Sequence, residues 1–143
     1  MRLAYAEDAS RESADRVRRS TPMHLNIQID QQTDANIHRY CAKSSTAILH
    51  RIEELDREWD IERVLEVNAS TLALSGLVLG LTVDRKWLAL PAIVLPFLLQ
   101  HGLQGWCPPL PILRRMGIRT RGEIDREKYA LKAKLHEGEA SHV

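Results

Sequence analysis

The sequence predicts an all-α fold built on a two-helix transmembrane hairpin at residues 67–106, with an amphipathic N-terminal helix and a short C-terminal cytoplasmic helix. The first observation behind this prediction is the distribution of the 20 basic and 19 acidic side chains. All of them avoid Val67–Val83 and Trp87–Leu113, two neutral stretches separated only by Asp84–Lys86. Because a charge is expensive in the hydrocarbon of a bilayer, this exclusion is typical of two membrane spans.

The second observation is the spacing of two tryptophans. Trp87 and Trp106 are 19 residues apart, which is about 28 Å along an α-helix. That length matches the roughly 30 Å hydrocarbon layer, and Trp prefers both of its interfaces, so we interpret the pair as interface anchors. The first span, Val67–Val83, is shorter, at about 26 Å. Pro91 and Pro96 are expected to kink the second helix, which membrane helices tolerate when neighbouring groups compensate.

Composition argues against several classes of function. A chain of 143 residues suits one domain, and its net charge of +1 gives no basic face of the kind that binds nucleic acid. The cysteines at 41 and 107 have neither disulfide nor metal spacing, and the six histidines are too scattered for a metal site. No phosphate loop or catalytic triad is recognisable, and we expect no cofactor. The N-terminus has no apolar leader, so no cleaved signal peptide is expected.

Residues 1–32 are polar and lack helical periodicity, which predicts a mobile N-terminal segment. Within it, Met23, Leu25, Ile27 and Ile29 alternate with polar residues, a pattern typical of a strand. A lone strand cannot satisfy its edges, so it either pairs with a partner or a second copy or stays loose.

Residues 33–66 contain neither Gly nor Pro and predict an amphipathic cytoplasmic helix. Its apolar stripe consists of Ile37, Cys41, Ile48, Ile52, Leu55 and Trp59. The stripe fits three roles, namely packing within the chain, a short coiled coil between copies, or contact with the membrane surface. Because nothing in the sequence forces a break before Val67, this helix is expected to run straight into the first span.

Residues 107–143 predict a basic turn and a last helix. The three prolines within Cys107–Pro111 are expected to stop regular helix. Thr120 is an expected N-cap, and Glu123 would complete a capping box, so the helix should cover about residues 121–136. Its weak apolar face consists of Ile124, Leu131 and Leu135.

The basic residues predict the orientation of the hairpin. Those that flank its two outer ends are Arg51, Arg57, Arg63, Arg114, Arg115, Arg119, Arg121, Arg126 and Lys128. The turn between the spans carries only Arg85 and Lys86. Since basic residues accumulate on the cytoplasmic side of a membrane, both termini are expected in the cytoplasm and the turn outside.

A soluble four-helix protein with the hairpin as its core is the alternative architecture. It would bury both neutral stretches against Ile48, Leu55, Ile124 and Leu131. The outer segments carry too little apolar surface to surround two fully apolar helices, so this fold would leave a large exposed apolar patch. The membrane hairpin is therefore the favoured prediction.

Small residues on the first span form a candidate packing face. Gly76 and Gly80 have GxxxG spacing, and Ala69 and Ala73 lie on the preceding turns. Such residues let two helix backbones approach closely in lipid. Three interpretations remain open: the face packs against the second span, it mediates self-association of two copies, or it has no specific role.

Polar residues near the end of the second span form a candidate membrane polar cluster of Gln100, His101 and Gln104. Polar side chains at membrane depth are costly and often functional. Interhelical hydrogen bonding or contact with interfacial water is one interpretation, and a ligand or proton role for His101 is another. Cys107 follows at the membrane–cytoplasm boundary, where nearby Arg114 and Arg115 could favour a thiolate. It is a candidate thiol for sulfur exchange or redox sensing, unless it is simply packed.

The stretch from His101 to Thr120 reads HGLQGWCPPLPILRRMGIRT and resembles the YgaP-like transmembrane domain family of small bacterial inner-membrane proteins. The matching features are two closely spaced apolar helices, the Gly105-x-Cys107-Pro108 exit, and then Gly117 and Thr120, within residues 60–125. The double proline and the long N-terminal helix depart from the shortest members. The resemblance implies an inner-membrane hairpin that can dimerise. Some members carry a rhodanese domain, which this chain lacks, so sulfurtransferase activity does not carry over.

Three functions remain as hypotheses. The first is a non-enzymatic membrane module whose partners are the lipid bilayer and either a second copy or another membrane protein. The second is a membrane thiol protein that uses Cys107. The third is a small-solute conduit in which several hairpins assemble around Gln100, His101 and Gln104.

Overall fold

The computed structural model describes residues 16–140, with the side chain of residue 139 outside that description. Residues 16–19 are helical and six α-helices follow, so the predicted all-α class is confirmed for these residues. The helices are α1 Met23–Cys41, α2 Ser45–Arg57, α3 Ile61–Thr82, α4 Ala89–Gln104, α5 Leu110–Arg115 and α6 Arg121–Ala140. A short 3-10 helix, Arg85–Leu88, joins α3 to α4.

The predicted strand at Met23–Ile29 is wrong, because these residues begin helix α1. Leu25, Ile29 and Thr33 are buried at four-residue spacing, so they occupy one face of the helix. Met23 and Ile27 are exposed on the other side. The apolar residues that suggested alternation therefore belong to two different faces. Residues 16–32 also enter side-chain contacts with the rest of the chain, and the remainder of the predicted mobile segment lies outside the described residues.

The single helix predicted for residues 33–66 is also wrong, because short non-helical segments interrupt it twice, after Cys41 and after Arg57. Ser44 caps α2 by accepting a hydrogen bond from the Ala47 N–H, and Asp60 caps α3 by accepting one from the Arg63 N–H. These short polar side chains satisfy the free N–H groups of a new helix, so a break needs no Gly or Pro. From Ile61 onward the chain enters the first apolar stretch without interruption, as predicted.

Helices α1, α2 and α6 pack together, and with the short α5, which Arg114 bonds to them, they form a polar base at one end of the hairpin. Its apolar core consists of Ile48, Ile52, Leu55, Ile124 and Leu131, with Tyr40, Cys41 and Leu135 against it. Part of the predicted amphipathic stripe thus packs within the chain, whereas Trp59 is 45% exposed. A second cluster joins base and hairpin, and consists of Val17, Ile61, Leu65, Cys107 and Leu110.

The second helix of the hairpin ends at Gly105, before the prolines that were expected to stop it. Gly105 ends α4 in the left-handed region, with φ 73°, which glycine adopts without steric cost. The prolines predicted to stop regular helix instead precede and begin the short α5. The capping box is confirmed, since Thr120 N–H donates to Glu123 at 2.8 Å and Glu123 N–H donates to Thr120 Oγ1 at 3.3 Å. Helix α6 reaches Ala140, beyond the predicted residue 136.

Candidate functional site: an apolar hairpin on an ion-paired base

The hairpin of α3 and α4 exposes apolar side chains over most of its surface. Leu74 is 62% exposed, Leu81 75%, and Leu99 65%, and no residue of α4 is buried. By length and composition, α3 and the stretch Arg85–Gln104, which is α4 with the preceding 3-10 helix, are each apolar and long enough to cross a membrane. A core helix of a soluble protein would be mostly buried, so the structure does not adopt the alternative four-helix fold with the hairpin at its centre.

The glycine face of α3 is occupied by the chain itself. A Cβ at Gly76 would lie 2.5 Å from Pro91 Cδ, and one at Gly80 would lie 2.5 Å from Leu88 Cδ2. Both distances are far shorter than van der Waals contact. At Gly76 a Cβ would also lie 2.9 Å from Leu90 Cβ, so glycine allows α3 and α4 to approach closely there. The contact of Gly80 is with the side chain of Leu88 in the 3-10 helix. Ala73 is half-buried one turn before Gly76. Of the three predicted roles, the geometry therefore corresponds to packing against the second helix.

The two predicted anchors lie at opposite ends of the second helix. Trp87 is in the 3-10 turn at the far end, and Trp106 follows Gly105 at the base. They are 46% and 38% exposed, so each indole presents part of its surface to the surroundings. At the far end Asp84 caps the turn by accepting a hydrogen bond from the Lys86 N–H.

The structure separates the predicted polar cluster. Gln100 Nε2 donates to Gln104 Oε1 at 3.5 Å along the exposed side of α4. His101 is half-buried, as Gln100 is, and its Nδ1 is covered without a hydrogen-bond partner in the described part of the chain. The three side chains therefore do not form one hydrogen-bonded group.

Cys107 is a packed thiol in this structure. It is 3% exposed and lies in the cluster with Val17, Ile61 and Leu110. Burial raises the pKa of its thiol, although a hydrogen bond with the Leu110 backbone acts the other way. A raised pKa disfavours the nucleophilic thiolate at neutral pH. Cys41 is also free, in the base.

Two buried ion-pair groups hold the base together, and the first centres on Glu123. Arg114, whose side chain is fully buried, binds the Glu123 carboxylate with both terminal nitrogens, at 2.7 and 2.8 Å. Arg18 donates to the same carboxylate and also forms a bidentate pair with Asp30. Arg114 further donates to Asn26 at 2.8 Å, which connects α5 to α1.

The second group centres on Glu127 of α6, which is fully buried. Its carboxylate accepts hydrogen bonds from Arg51 at 2.8 Å and from Arg119 at 2.6 Å. Arg119 also forms a bidentate pair with Glu58, at 2.6 and 2.8 Å, beside the break between α2 and α3. These contacts connect α2, the segment before α3, and α6, so the start of the hairpin is fixed to the base.

The guanidinium groups keep both carboxylates ionised despite burial. Burial alone would raise the pKa of Glu123, but hydrogen bonds from Arg114 and from the Thr120 N–H outweigh it and lower that pKa. The pKa of Glu127 is lowered in the same way by Arg51 and Arg119. An ionised carboxylate in such surroundings requires paired cations, so each member of the group depends on the others.

The sequence pattern does not reveal these groups, because Arg114 and Arg119 resemble the other basic residues that indicate the orientation of the hairpin. A signal was present on α6. Glu123 and Glu127 share one face with Ile124 and Leu131 of the predicted apolar stripe, and carboxylates on a buried face need cationic partners. Among the described residues, no group of His, Cys, Asp or Glu is placed to hold a metal ion.

Comparison with family models, curated proteins and solved structures finds no match to this chain. The resemblance to the YgaP-like transmembrane domain therefore stays a prediction.

Proposed function

We propose that the chain is an integral membrane protein in which α3 and α4 cross the bilayer and the base lies on the cytoplasmic side. The carrying observation is the outward-facing apolar surface of both helices. Soluble monomers rarely expose a continuous apolar surface of this extent, because in water it would cause aggregation. In a bilayer it is the expected surface of a spanning helix, because a helix satisfies its backbone hydrogen bonds internally, apart from the one that Pro96 cannot donate in α4.

The base gives this membrane module a rigid polar end. Its buried ion pairs fix α1, α2 and α6 to the start of the hairpin, and each of these helices exposes large apolar or aromatic side chains, such as Met23, Leu49 and Tyr129. We propose that this end presents helices to a partner in a bacterial inner membrane, either a second copy or another membrane protein. Membership of the YgaP-like family belongs to the same proposal.

Self-association through Gly76 and Gly80 receives less support, since Gly76 lies against α4 and Gly80 against Leu88 of the preceding 3-10 helix. A non-enzymatic role is supported by the environment of Cys107, whose burial opposes reaction with a substrate. A conduit around the polar cluster has no specific observation in its favour, because Gln100 bonds to Gln104 while the covered Nδ1 of His101 joins neither of them.

Membrane insertion and orientation are tested together by thiol labelling in intact cells. Arg85→Cys places a thiol in the exposed turn, and Arg57→Cys places one in the base. A membrane-impermeant maleimide should label position 85 in intact cells and position 57 only after permeabilisation, with the parent chain setting the background from its own cysteines. Alkaline carbonate should leave the protein in the membrane pellet.

Two results would count against the proposal. Extraction of the protein into the carbonate supernatant would show that it is not integral. Labelling of position 57, but not 85, in intact cells would keep the hairpin and reverse its orientation.

A further inference from the structure

A cleft of about 290 Å³ opens where the hairpin meets the base. Its lining includes Arg16, Glu62, Glu66, Leu98, His101 and Gly105. We call it the boundary cleft. Glu66 immediately precedes the first neutral stretch, and α4 ends at Gln104. If the hairpin crosses a bilayer as proposed above, on which this inference rests, the cleft lies at the depth of the lipid headgroups.

The boundary cleft carries charges of both signs. Glu62 and Glu66 supply two carboxylates from successive turns of α3, and Arg16 supplies a guanidinium. All three are near enough to His101 to act on it electrostatically. Glu66 has no ion pair or hydrogen bond from its side chain to another described residue, so its carboxylate can accept donors from a ligand.

The position of Arg16 is fixed by the backbone around it. Its Nη1 donates to the Gly102 carbonyl at 3.2 Å. Gly105 makes room for it, since a Cβ there would lie 2.7 Å from Arg16 Cβ. The guanidinium has five N–H donors, and the bond to Gly102 is its one side-chain hydrogen bond to a residue within 16–140, which leaves other donors for an anion.

We propose that the boundary cleft binds a phospholipid headgroup that carries both a phosphate and a primary ammonium, as phosphatidylethanolamine does. The ammonium has three N–H donors, and the two glutamates offer only acceptors. Guanidinium is the side chain best matched to phosphate oxygens, which fits Arg16. Phosphatidylcholine has no N–H donor for the glutamates, and phosphatidylglycerol has no cation to offset them.

The test uses the whole protein, purified in a detergent and offered an equimolar mixture of phosphatidylethanolamine, phosphatidylcholine and phosphatidylglycerol with identical acyl chains. Native mass spectrometry then counts the lipid that stays bound. We expect phosphatidylethanolamine to exceed each of the others by about tenfold, the effect of one additional charge-assisted hydrogen bond. Equal retention of the three lipids would overturn the inference.

Substitutions in the boundary cleft test whether the preference for phosphatidylethanolamine arises there. Glu62→Gln combined with Glu66→Gln should abolish the preference for phosphatidylethanolamine, whereas Glu53→Gln combined with Glu137→Gln removes the same charge from exposed positions and should preserve it. Arg16→Gln should weaken retention of all three lipids. A preference that survives the Glu62/Glu66 change would place the lipid elsewhere.

Failure of this inference is distinguishable from failure of the proposed function. Flotation with liposomes of the same three lipids reports on insertion alone. A protein that floats but shows no headgroup preference retains the proposed membrane function without the boundary cleft. A protein that does not float contradicts the membrane function itself, and with it the site.

Discussion

In the hairpin, leucines face outward and glycine backbones fill the interior, whereas in the base the ionised side chains of Arg114 and Glu127 are inside. Leu81 is 75% exposed on α3, and Glu127 is 0% exposed on α6. The hairpin is therefore suited to apolar surroundings, and the base holds its charges by pairing them away from water. One short chain thus contains two regions whose stability should respond to different changes.

The largest effect is expected from Glu127→Gln in the base. The change leaves Arg119 and Arg51 without their shared charge, and breaking a buried ion pair on one side costs about 3 kcal/mol. Amide hydrogen exchange in α6 should accelerate accordingly, while exchange in α3 and α4 stays unchanged. Glu137→Gln, at an exposed position of the same helix, is the matched control. Equal acceleration in hairpin and base would mean that the two regions unfold as one unit.

A smaller effect is expected from Gly76→Leu in the hairpin. The new side chain would collide with Pro91 and Leu90, and overpacking of this kind costs about 2 kcal/mol. Exchange should accelerate in α3 and α4, not in α6. Ser75→Leu adds the same side chain at the neighbouring exposed position and should have little effect. If Gly76→Leu instead left the hairpin intact and dissociated an oligomer, the glycine face would be intermolecular.

Acid should weaken the base selectively. Because the pKa values of Glu123 and Glu127 are lowered in the folded state, their contribution is fully present above the unfolded value of about 4.5. It decreases below that value and is lost as the pH falls through the lowered folded pKa values. At any pH above 4, the loss of stability caused by acid should be smaller than the loss caused by Glu127→Gln. Thermal unfolding measures this loss of stability. The fluorescence emission of Trp59 follows it, in a variant with Trp87 and Trp106 replaced by Phe. A melting temperature that stays constant from pH 7 to pH 3 would show that these pairs contribute nothing.

The smallest effect is expected from Thr120→Ala, which removes half of the capping box. Loss of an N-cap typically costs about 1 kcal/mol. Exchange should accelerate most at the first turn of α6. Thr46→Ala, at an exposed position near the start of α2, provides the comparison. An unchanged first turn would indicate that Glu123 alone holds this end of the helix.

The sequence predicted the hairpin better than the base, for physical reasons. The absence of charge extends over every residue of Val67–Val83, so it is a continuous signal for an apolar helix, and the capping box Thr120–Glu123 is likewise local. Buried ion pairs join residues far apart in the chain, such as Arg51 and Glu127, so no local pattern reveals them. The breaks at Ser44 and Asp60 were missed because single polar caps resemble ordinary surface residues.

The most direct test of the central claim measures what surrounds the hairpin. Spin labels at Val78→Cys and Leu95→Cys, in protein reconstituted into bilayers, report collisions with oxygen, which concentrates in lipid, and with a water-soluble nickel chelate. Leu49→Cys in the base is the control. We predict high oxygen and low nickel accessibility at 78 and 95, and the reverse at 49. High nickel accessibility at all three positions would contradict the membrane hairpin.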